Sequence, residues 1–595
     1  MKNKERLASK VAILLTGLAF LQSVVALLHV LQQGPFKSEI HWFSIGGLKV
    51  TAGIWINELN GIMLALVAFI SLLVQIYSIG YMAKEERQPV YFAYMSLFTS
   101  AMLGLVFSPN LLQMYLFWEL VGLGSFLLIG FHFTREAAKR AAKKAFIMTR
   151  IGDVGFLIGI ILLFLKTSTF ELEGIFQAAS NGELASSTIT WAGFLIFVGA
   201  IGKSAQFPLF TWLPDAMEGP TPASALIHAA TMVAAGVYVT ATLYPLISES
   251  SFTLSVIAAV GIGTALLSAF VALTERDVKR VLAYSTVSQL GLMMLALGVL
   301  GAFASLFHLF THAFFKALLF LAAGSVIVAT GTQDLQKLGG LAKKIPKTAV
   351  LFLIGVLSIS GFPFLSGFFS KEEILHAVYF SGNPVLLVAT LLLTLLTACY
   401  MFRLFFLIFL GEKENTESGS GLTDAPGVLF YPMVILAFCS VIAGWFVGPF
   451  REWLVDWERY TVGGTAPFWL PVLSVAVFVL GVVLTYLIYG SKVIGRDWFS
   501  GRAPYTYRFI ENSYYLDQLY RILFVKGWTY LGHVVKVFDR YILGAILWIV
   551  SGTVTIINWT HRRMQNGQTQ SYGFVVLFGL VVIVALSLWT GGYFE

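Results

Sequence analysis

Apolar runs of about twenty residues or more recur from one end of this chain to the other, each long enough to cross the roughly 30 Å of hydrocarbon in a bilayer. No other feature limits the fold as strongly. A soluble chain of 595 residues would divide into several domains. Here 57% of residues are hydrophobic, only 12% are charged and the mean hydropathy is +0.81. The expected fold is therefore all-α, a polytopic membrane helix bundle. Punctuation by polar residues, Gly and Pro places spans near 10–32, 58–82, 89–108, 110–132, 146–166, 189–218, 222–246 and 253–274. Further spans fall near 279–300, 303–330, 346–380, 383–411, 427–449, 468–490 and 571–592, with 189–218 and 346–380 interrupted. That makes about fifteen spans. The first run follows a basic stretch, Met1 to Lys10, but is too long for a signal peptide and lacks a small-residue cleavage site.

Loop charges test this topology. With the N-terminus inside, alternate loops should be basic. The inside loop 133–145 holds Arg135, Lys139, Arg140, Lys143 and Lys144. Loop 275–280 holds Arg276, Lys279 and Arg280, and loop 331–347 holds Lys337, Lys343, Lys344 and Lys347. The outside loop 167–188 carries Glu171, Glu173 and Glu183 and no Lys or Arg. Loop 412–426 is inside by parity yet acidic, a minor discord. Topology thus accounts for the net charge of +8, and no nucleic-acid partner is expected. Loop 33–57 alternates through His41-Trp42-Phe43-Ser44 and Leu48-Lys49-Val50-Thr51, which predicts a short covering hairpin.

The predicted organisation is 1–88 for the N-terminal helices and hairpin, two five-helix repeats at 89–246 and 253–411, and additional helices at 427–490. A lateral amphipathic helix at 509–565 and an anchor helix at 571–592 complete it. Each repeat carries an interrupted span. Gly202-Lys203-Ser204-Ala205-Gln206-Phe207-Pro208 is matched by Ser360-Gly361-Phe362-Pro363 followed by Ser370-Lys371-Glu372. Proline removes a backbone donor, and broken backbone in lipid survives only where it is buried in protein or lines a wet cavity. Paired breaks of this kind mark ion sites in transporters, and an odd number of helices per repeat makes the copies inverted. Chance recurrence of a proline kink is the alternative. In 509–565, Asp517, Arg521, His533, Lys536 and Arg540 recur mostly at helical steps among apolar residues, which favours a helix lying along the membrane or a neighbouring subunit. A further span is the alternative, since 541–559 is uncharged.

A charge at the middle of a span costs about 2.5–3.5 kcal/mol even on the mildest scale. Glu119, in Phe117-Trp118-Glu119-Leu120, and Lys203, beside the first break, are expected to neutralise one another. A static ion pair locking two helices is the alternative. His308, His312 and Lys316 fall at i, i+4 and i+8, one stripe of a helix over about 12 Å of rise. Such a stripe suits proton hopping. A metal site and core histidines with satisfied hydrogen bonds are the rivals. His228 could link Lys203 to the stripe, and Lys371 repeats the Lys203 theme beside Glu372 and Glu373. For Asp153, Arg403, Asp277 and Lys279, packing or interfacial roles stand beside any part in transfer. No cofactor is expected in this chain. Cys399 and Cys439 are too few for an iron–sulfur cluster or a disulfide framework. Gly202-Lys203-Ser204 imitates a phosphate-binding loop, but Phe197 occupies the upstream glycine position.

The strings FWELVGLGSFLLIGF, IGKSAQFPLFTWLPDAMEGPTPASALIHAATMVAAGVY, KRVLAYSTVSQLGLM, HLFTHAFFKALLFLAAGSVI and FFSKEEIL resemble the antiporter-like subunits of respiratory complex I. Among these the chain is most similar to the subunit-L type of the bacterial NADH–quinone oxidoreductase, over about residues 40 to 410. The central motifs are shared with Mrp-type cation/proton antiporters and membrane-bound hydrogenases. The resemblance implies a proton-translocating subunit driven by electron transfer elsewhere, in a bacterial inner membrane with its N-terminus cytoplasmic. Other membrane-arm subunits would be its partners, contacted by the lateral helix. Glu119 would partner the pump lysine Lys203, His228 would bridge to the second half-channel, Lys316 would be the central relay and Lys371 would face the exit. Asp153, His308 and His312 match further polar-axis positions. The resemblance also implies one more helix ahead of 10–32, so either the start is placed late or the form is shortened.

Overall fold

A computed structural model describes residues 2–46, 48–411, 422–461, 464, 466–491, 493–495 and 501–591. The acidic loop expected at 412–426 therefore lies largely outside the described residues. The chain divides into two compact units, Met1–Tyr514 and Tyr515–Glu595.

The first unit opens with α1 (Lys2–Gln33) and the predicted hairpin, β1 (Phe36–Ile45) and β2 (Leu48–Ile56). The strands pair antiparallel from Phe36–Ile56 to Ile45–Leu48, with an irregularity between His41 and Phe43. Next come α2 (Glu58–Tyr81), α3 (Gln88–Val106), α4 (Leu111–Ile129) and α5 (Glu136–Thr167). The expected basic loop 133–145 is mostly the first turns of α5. Its Ala, Lys, Arg and Glu residues are strong helix formers, so charge placed them outside the hydrocarbon without breaking the helix. The short α6 (Leu172–Ser180) leads to α7 (Ser186–Lys203) and α8 (Trp212–Asp215). Then come α9 (Thr221–Ala229), α10 (Met232–Thr242), α11 (Tyr244–Ile247), α12 (Ser251–Thr274), α13 (Val278–Gly298) and α14 (Ala302–Thr330). The unit continues through α15 (Pro346–Ser360), α16 (Ser366–Phe380) and α17 (Pro384–Phe405) to Gly427–Ile442, Trp469–Thr485 and Pro504–Glu511.

Both expected interruptions occur, between α7 and α8 and between α15 and α16. At the first, freed backbone groups find local partners. The Gln206 amide donates to the Ile201 carbonyl at 2.9 Å and Trp212 Nε1 to the Gly202 carbonyl at 3.1 Å. The Phe207 amide donates to Thr264 Oγ1 at 2.9 Å. At the second, Gly361 turns left-handed (φ +87°). The expected continuous span 222–246 is corrected: it breaks at Ala230 and Thr231, between α9 and α10. Thr231 Oγ1 donates to the Leu226 carbonyl at 2.6 Å, a side-chain substitute for a helical amide. Neither Pro nor Gly marks this break, so sequence punctuation missed it.

One turn occurs twice. Thr167 Oγ1 donates to the Leu163 carbonyl, the Thr169 amide to Thr167 Oγ1 and the Glu171 amide to Thr169 Oγ1. The same bonds run from Thr330 Oγ1 to Val326, from the Thr332 amide to Thr330 and from the Asp334 amide to Thr332. The first turn pairs with the start of α4, through Leu111 amide to Phe170 carbonyl and Leu172 amide to Pro109 carbonyl. The second pairs likewise with the start of α13, through Val278 amide to Gln333 carbonyl and Leu335 amide to Arg276 carbonyl. Between the two helix starts lie α4, α5, α7 with α8, α9 with α10, and α12. That odd number of crossings puts the turns at opposite ends of the bundle.

The second unit is a helix from Leu516 to Met564 with π-helical stretches at Arg521–Lys526 and Asp539–Leu543, then Thr569–Thr590. Among the described residues, fifteen helices are long and apolar enough to cross a membrane. Their number equals the expected count, but the sets differ in one member. Pro346–Ser360 is too short alone, and Ser513–Met564 is included.

The hairpin is tied to α4. Gln113 Oε1 accepts the Gly53 amide at 2.8 Å while its Nε2 donates to the Gly53 carbonyl at 2.9 Å. Thr51 Oγ1 donates to Glu171 Oε1 at 2.5 Å, and Lys37 reaches Glu39, Glu171 and Glu173. Burial raises the Glu171 carboxyl above its usual range. Gln113→Ala strands both Gly53 groups and should loosen the hairpin by about 1–3 kcal/mol. Faster protease nicking within 34–57, with the helices intact, is the expected readout.

Candidate functional site

α5 and α7 touch backbone to backbone. A Cβ on Gly152 would come 3.0 Å from Gly202 Cα, and one on Gly202 would come 3.2 Å from the Thr149 carbonyl oxygen. Small residues allow such contact between helices in lipid. The next residue along each helix is thereby brought together. Lys203 Nζ lies 3.2 Å from Asp153 Oδ2, and both side chains are 1% exposed. The other carboxylate oxygen accepts Trp118 Nε1 at 2.6 Å, and the ammonium stands 5.6 Å from the centre of the Trp118 ring. Two opposite charges are thus buried as a bonded pair, as their desolvation requires.

This corrects the expected Glu119–Lys203 pair. Glu119 instead forms an ion pair with Arg150, one turn before Asp153 on α5. Successive residues point about 100° apart around a helix. With Trp118 turned toward Asp153, Glu119 faces the edge of the bundle, where its side chain is 18% exposed.

Farther along, His228 is buried in the last turn of α9, its ring stacked on Phe320 at 5.2 Å. Neither ring nitrogen has a hydrogen-bond partner among the described residues. The predicted stripe on α14 lies on one buried face. Lys316 Nζ donates to Ser285 Oγ at 2.6 Å and to the Leu282 carbonyl at 3.2 Å. His312 has no hydrogen-bond partner for either ring nitrogen among the described residues, and its ring centre lies 6.2 Å from that of His308. His308 Nδ1 is 2.9 Å from Ser370 Oγ and Nε2 is 3.2 Å from Gln289 Oε1. Thr311 Oγ1 donates to the same Ser370 hydroxyl at 2.8 Å. The next residue, Lys371, is buried, with no hydrogen-bond partner for its Nζ among the described residues. Along α14 a buried row of titratable side chains therefore runs from Lys316 through His312 to His308, whose bond to Ser370 reaches the residue before Lys371.

Among the described residues, no side-chain hydrogen bond joins the Lys203–Asp153 pair to His228. Next to Lys203, Ser204 Oγ donates to the Val233 carbonyl at 2.7 Å, just beyond the α9–α10 break. Other charged residues cap helices. Arg403 donates to the Glu275 carbonyl at 2.8 Å, Asp277 accepts the Lys279 and Arg280 amides, and Lys279 Nζ donates to the Met217 and Gly219 carbonyls. Among the described residues no three His, Cys, Asp or Glu side chains converge as metal ligands.

Sequence reasoning missed Arg150, Ser285, Gln289 and Ser370. Ser285 and Gln289 carry a usable signal, since their i, i+4 spacing inside an apolar helix is the counterpart of the α14 stripe. Ser370 has only its place beside Lys371.

Broken helices that enclose buried lysines, histidines and carboxylates define an ion-translocating membrane protein. Residues 108–397 match the family described as NADH:quinone oxidoreductase/Mrp antiporter, transmembrane. Residues 42–92 match the N-terminus of chain 5 of NADH-ubiquinone oxidoreductase (complex I). The chain is 40% identical over 603 residues to the chloroplastic NAD(P)H-quinone oxidoreductase subunit 5 of Mesostigma viride, covering 97% of this chain and 92% of that one. It is 39% identical over 591 residues to NAD(P)H-quinone oxidoreductase chain 5 of a Picosynechococcus species, covering 92% and 88%. The chain belongs to this family of antiporter-like subunits of complex I-type NAD(P)H–quinone oxidoreductases. Its fold resembles a chain of the Mrp complex from a Dietzia species, with a TM-score of 0.71 at 24% identity, covering 99% of this chain and 63% of that chain. A chain of the archaeal membrane-bound sulfane sulfur reductase has a TM-score of 0.68 at 24% identity, covering 80% and 94%.

Asp153→Asn leaves the Lys203 ammonium buried without its counter-charge, a loss of about 3–5 kcal/mol. Thermal unfolding in detergent should fall sharply. Asp153→Asn with Lys203→Met, which removes both charges, should recover most of it.

Proposed function

We propose that this chain translocates protons as a membrane subunit of a complex I-type NAD(P)H–quinone oxidoreductase. The observation that carries the reading is the α14 row of two histidines and a lysine on one buried face, in which Lys316 bonds Ser285 and His308 bonds Gln289 and Ser370, the residue before Lys371. Proton hopping needs a donor or acceptor within hydrogen-bond reach at each step, directly or through one water. Serine hydroxyls and imidazoles serve as both donor and acceptor. In this reading Lys203 exchanges between Asp153 and Glu119, His228 passes the proton into the α14 row, and Lys371, with Glu372 and Glu373 near it, releases it. A lysine held by a carboxylate on one side and desolvated on the other changes protonation with small changes of distance.

The recurring threonine turns at opposite ends of the bundle support two inverted repeats, each centred on a broken helix. The helix from Leu516 to Met564 is about 74 Å long at 1.5 Å per residue. That is more than twice the hydrocarbon thickness, which favours an in-plane helix against other membrane-arm subunits. In this reading the basic loops face the cytoplasm of a bacterial inner membrane, with the N-terminus on the same side. Electron transfer then belongs to other subunits, since neither a cysteine cluster motif nor a dinucleotide fingerprint occurs in this sequence.

Lys203→Ala should abolish proton uptake per electron in the assembled complex while NAD(P)H–quinone activity continues or slows. Lys316→Ala and Lys371→Ala should behave alike. An unchanged proton-to-electron ratio in Lys203→Ala rules out the role of that lysine. Cation/proton antiport is the second reading, favoured by the shared family match at 108–397. Purification without any NAD(P)H-oxidising subunit would support it.

A further inference from the structure

Gly122 lies on α4, one turn after Glu119 and on the same side of the helix. A Cβ there would come 2.6 Å from Lys203 Nζ and 3.9 Å from its Cε, with no other atom of a neighbouring element within 4 Å. The Lys203 ammonium therefore lies against the bare backbone of α4. It holds Asp153 on one side and lies below the Trp118 ring, one turn earlier on α4. A methyl group at this position would meet the ammonium first. It would leave the packing of the helices unchanged.

We propose that Gly122 is a positioning residue: it forms the seat that lets the Lys203 ammonium rest on α4 within one turn of Glu119 while still bound to Asp153. The inference rests on the proton-translocation reading and deepens it. Glu119 and Asp153 belong to different helices, and an ammonium passing from one to the other crosses the α4 surface at 122. A side chain there takes the place that the Asp153-bound ammonium now occupies and blocks that crossing. Arg150 then stays with Glu119, and the exchange between the two carboxylates stops.

The neighbouring Gly124 supplies the control. A Cβ at 124 would come 2.9 Å from Phe98 Cδ2 and 3.2 Å from Phe98 Cα, a packing clash that does not involve Lys203. The test compares Gly122→Ala, Gly124→Ala and Lys203→Ala in the assembled complex reconstituted into vesicles. NADH or NADPH oxidation by quinone and proton uptake are followed together across pH. In Gly122→Ala the proton-to-electron ratio should fall toward that of Lys203→Ala, and the pH of half-maximal proton uptake should move. Gly124→Ala should lower only the amount of complex, with ratio and pH profile as in the unmodified protein. A normal ratio and profile in Gly122→Ala, with pumping lost in Lys203→Ala, overturns the seat and leaves the translocation reading standing. Normal pumping in Lys203→Ala overturns that reading itself. If Gly122→Ala does not assemble, it is placed on the Lys203→Ala background. Restored assembly shows that the clash was with the ammonium, and continued failure overturns the proposal.

Discussion

An ammonium group held in hydrocarbon must be compensated within bonding distance, and the contact between α5 and α7 makes this possible for Lys203. Gly152 and Gly202 remove the side-chain layer between the two helices. Asp153 and Lys203, the next residues along the two helices, then pair across that contact. Trp118 completes the arrangement from α4 by donating to the second carboxylate oxygen. Three helices are fixed around one pair of charges, and loss of either charge leaves the other uncompensated in a low-dielectric interior.

Farther along the bundle the compensation changes kind. Among the described residues no carboxylate forms an ion pair with Lys316 or Lys371. Lys316 is held by a hydroxyl and a carbonyl, dipoles in place of a counter-charge. The broken helices contribute in the same way, since each break frees carbonyls and amides that side chains such as Thr231, Thr264 and Trp212 satisfy.

Much of this was legible in the sequence. The spans, the hairpin, both proline-marked interruptions and the His308–His312–Lys316 stripe follow from hydropathy, turn residues and helical spacing. Partners between helices did not follow, because spacing fixes which residues share a face and says nothing of how that face is rotated toward its neighbour. Opposite charge and the family resemblance both point Glu119 at Lys203, whereas the lysine bonds Asp153, with Trp118 and Gly122 of α4 beside it. Asp153, one residue past a glycine in a helix dense with glycines, carried the better signal. The α9–α10 break escaped because a threonine hydroxyl makes it without any of the residues that usually announce one.

The repeated threonine turn has a bearing on how the chain enters a membrane. Its bonds use only hydroxyls, a terminal carboxylate residue's amide and main chain, so it folds equally well facing either compartment. A turn of that composition carries no sense of direction. The choice of which end faces which compartment falls to charges outside it, with Lys37 and three glutamates around one copy and Arg276 paired with Glu511 beside the other. A motif blind to sidedness is what a fold needs if one architectural plan is to be laid down twice, head up and then head down, in a single polypeptide.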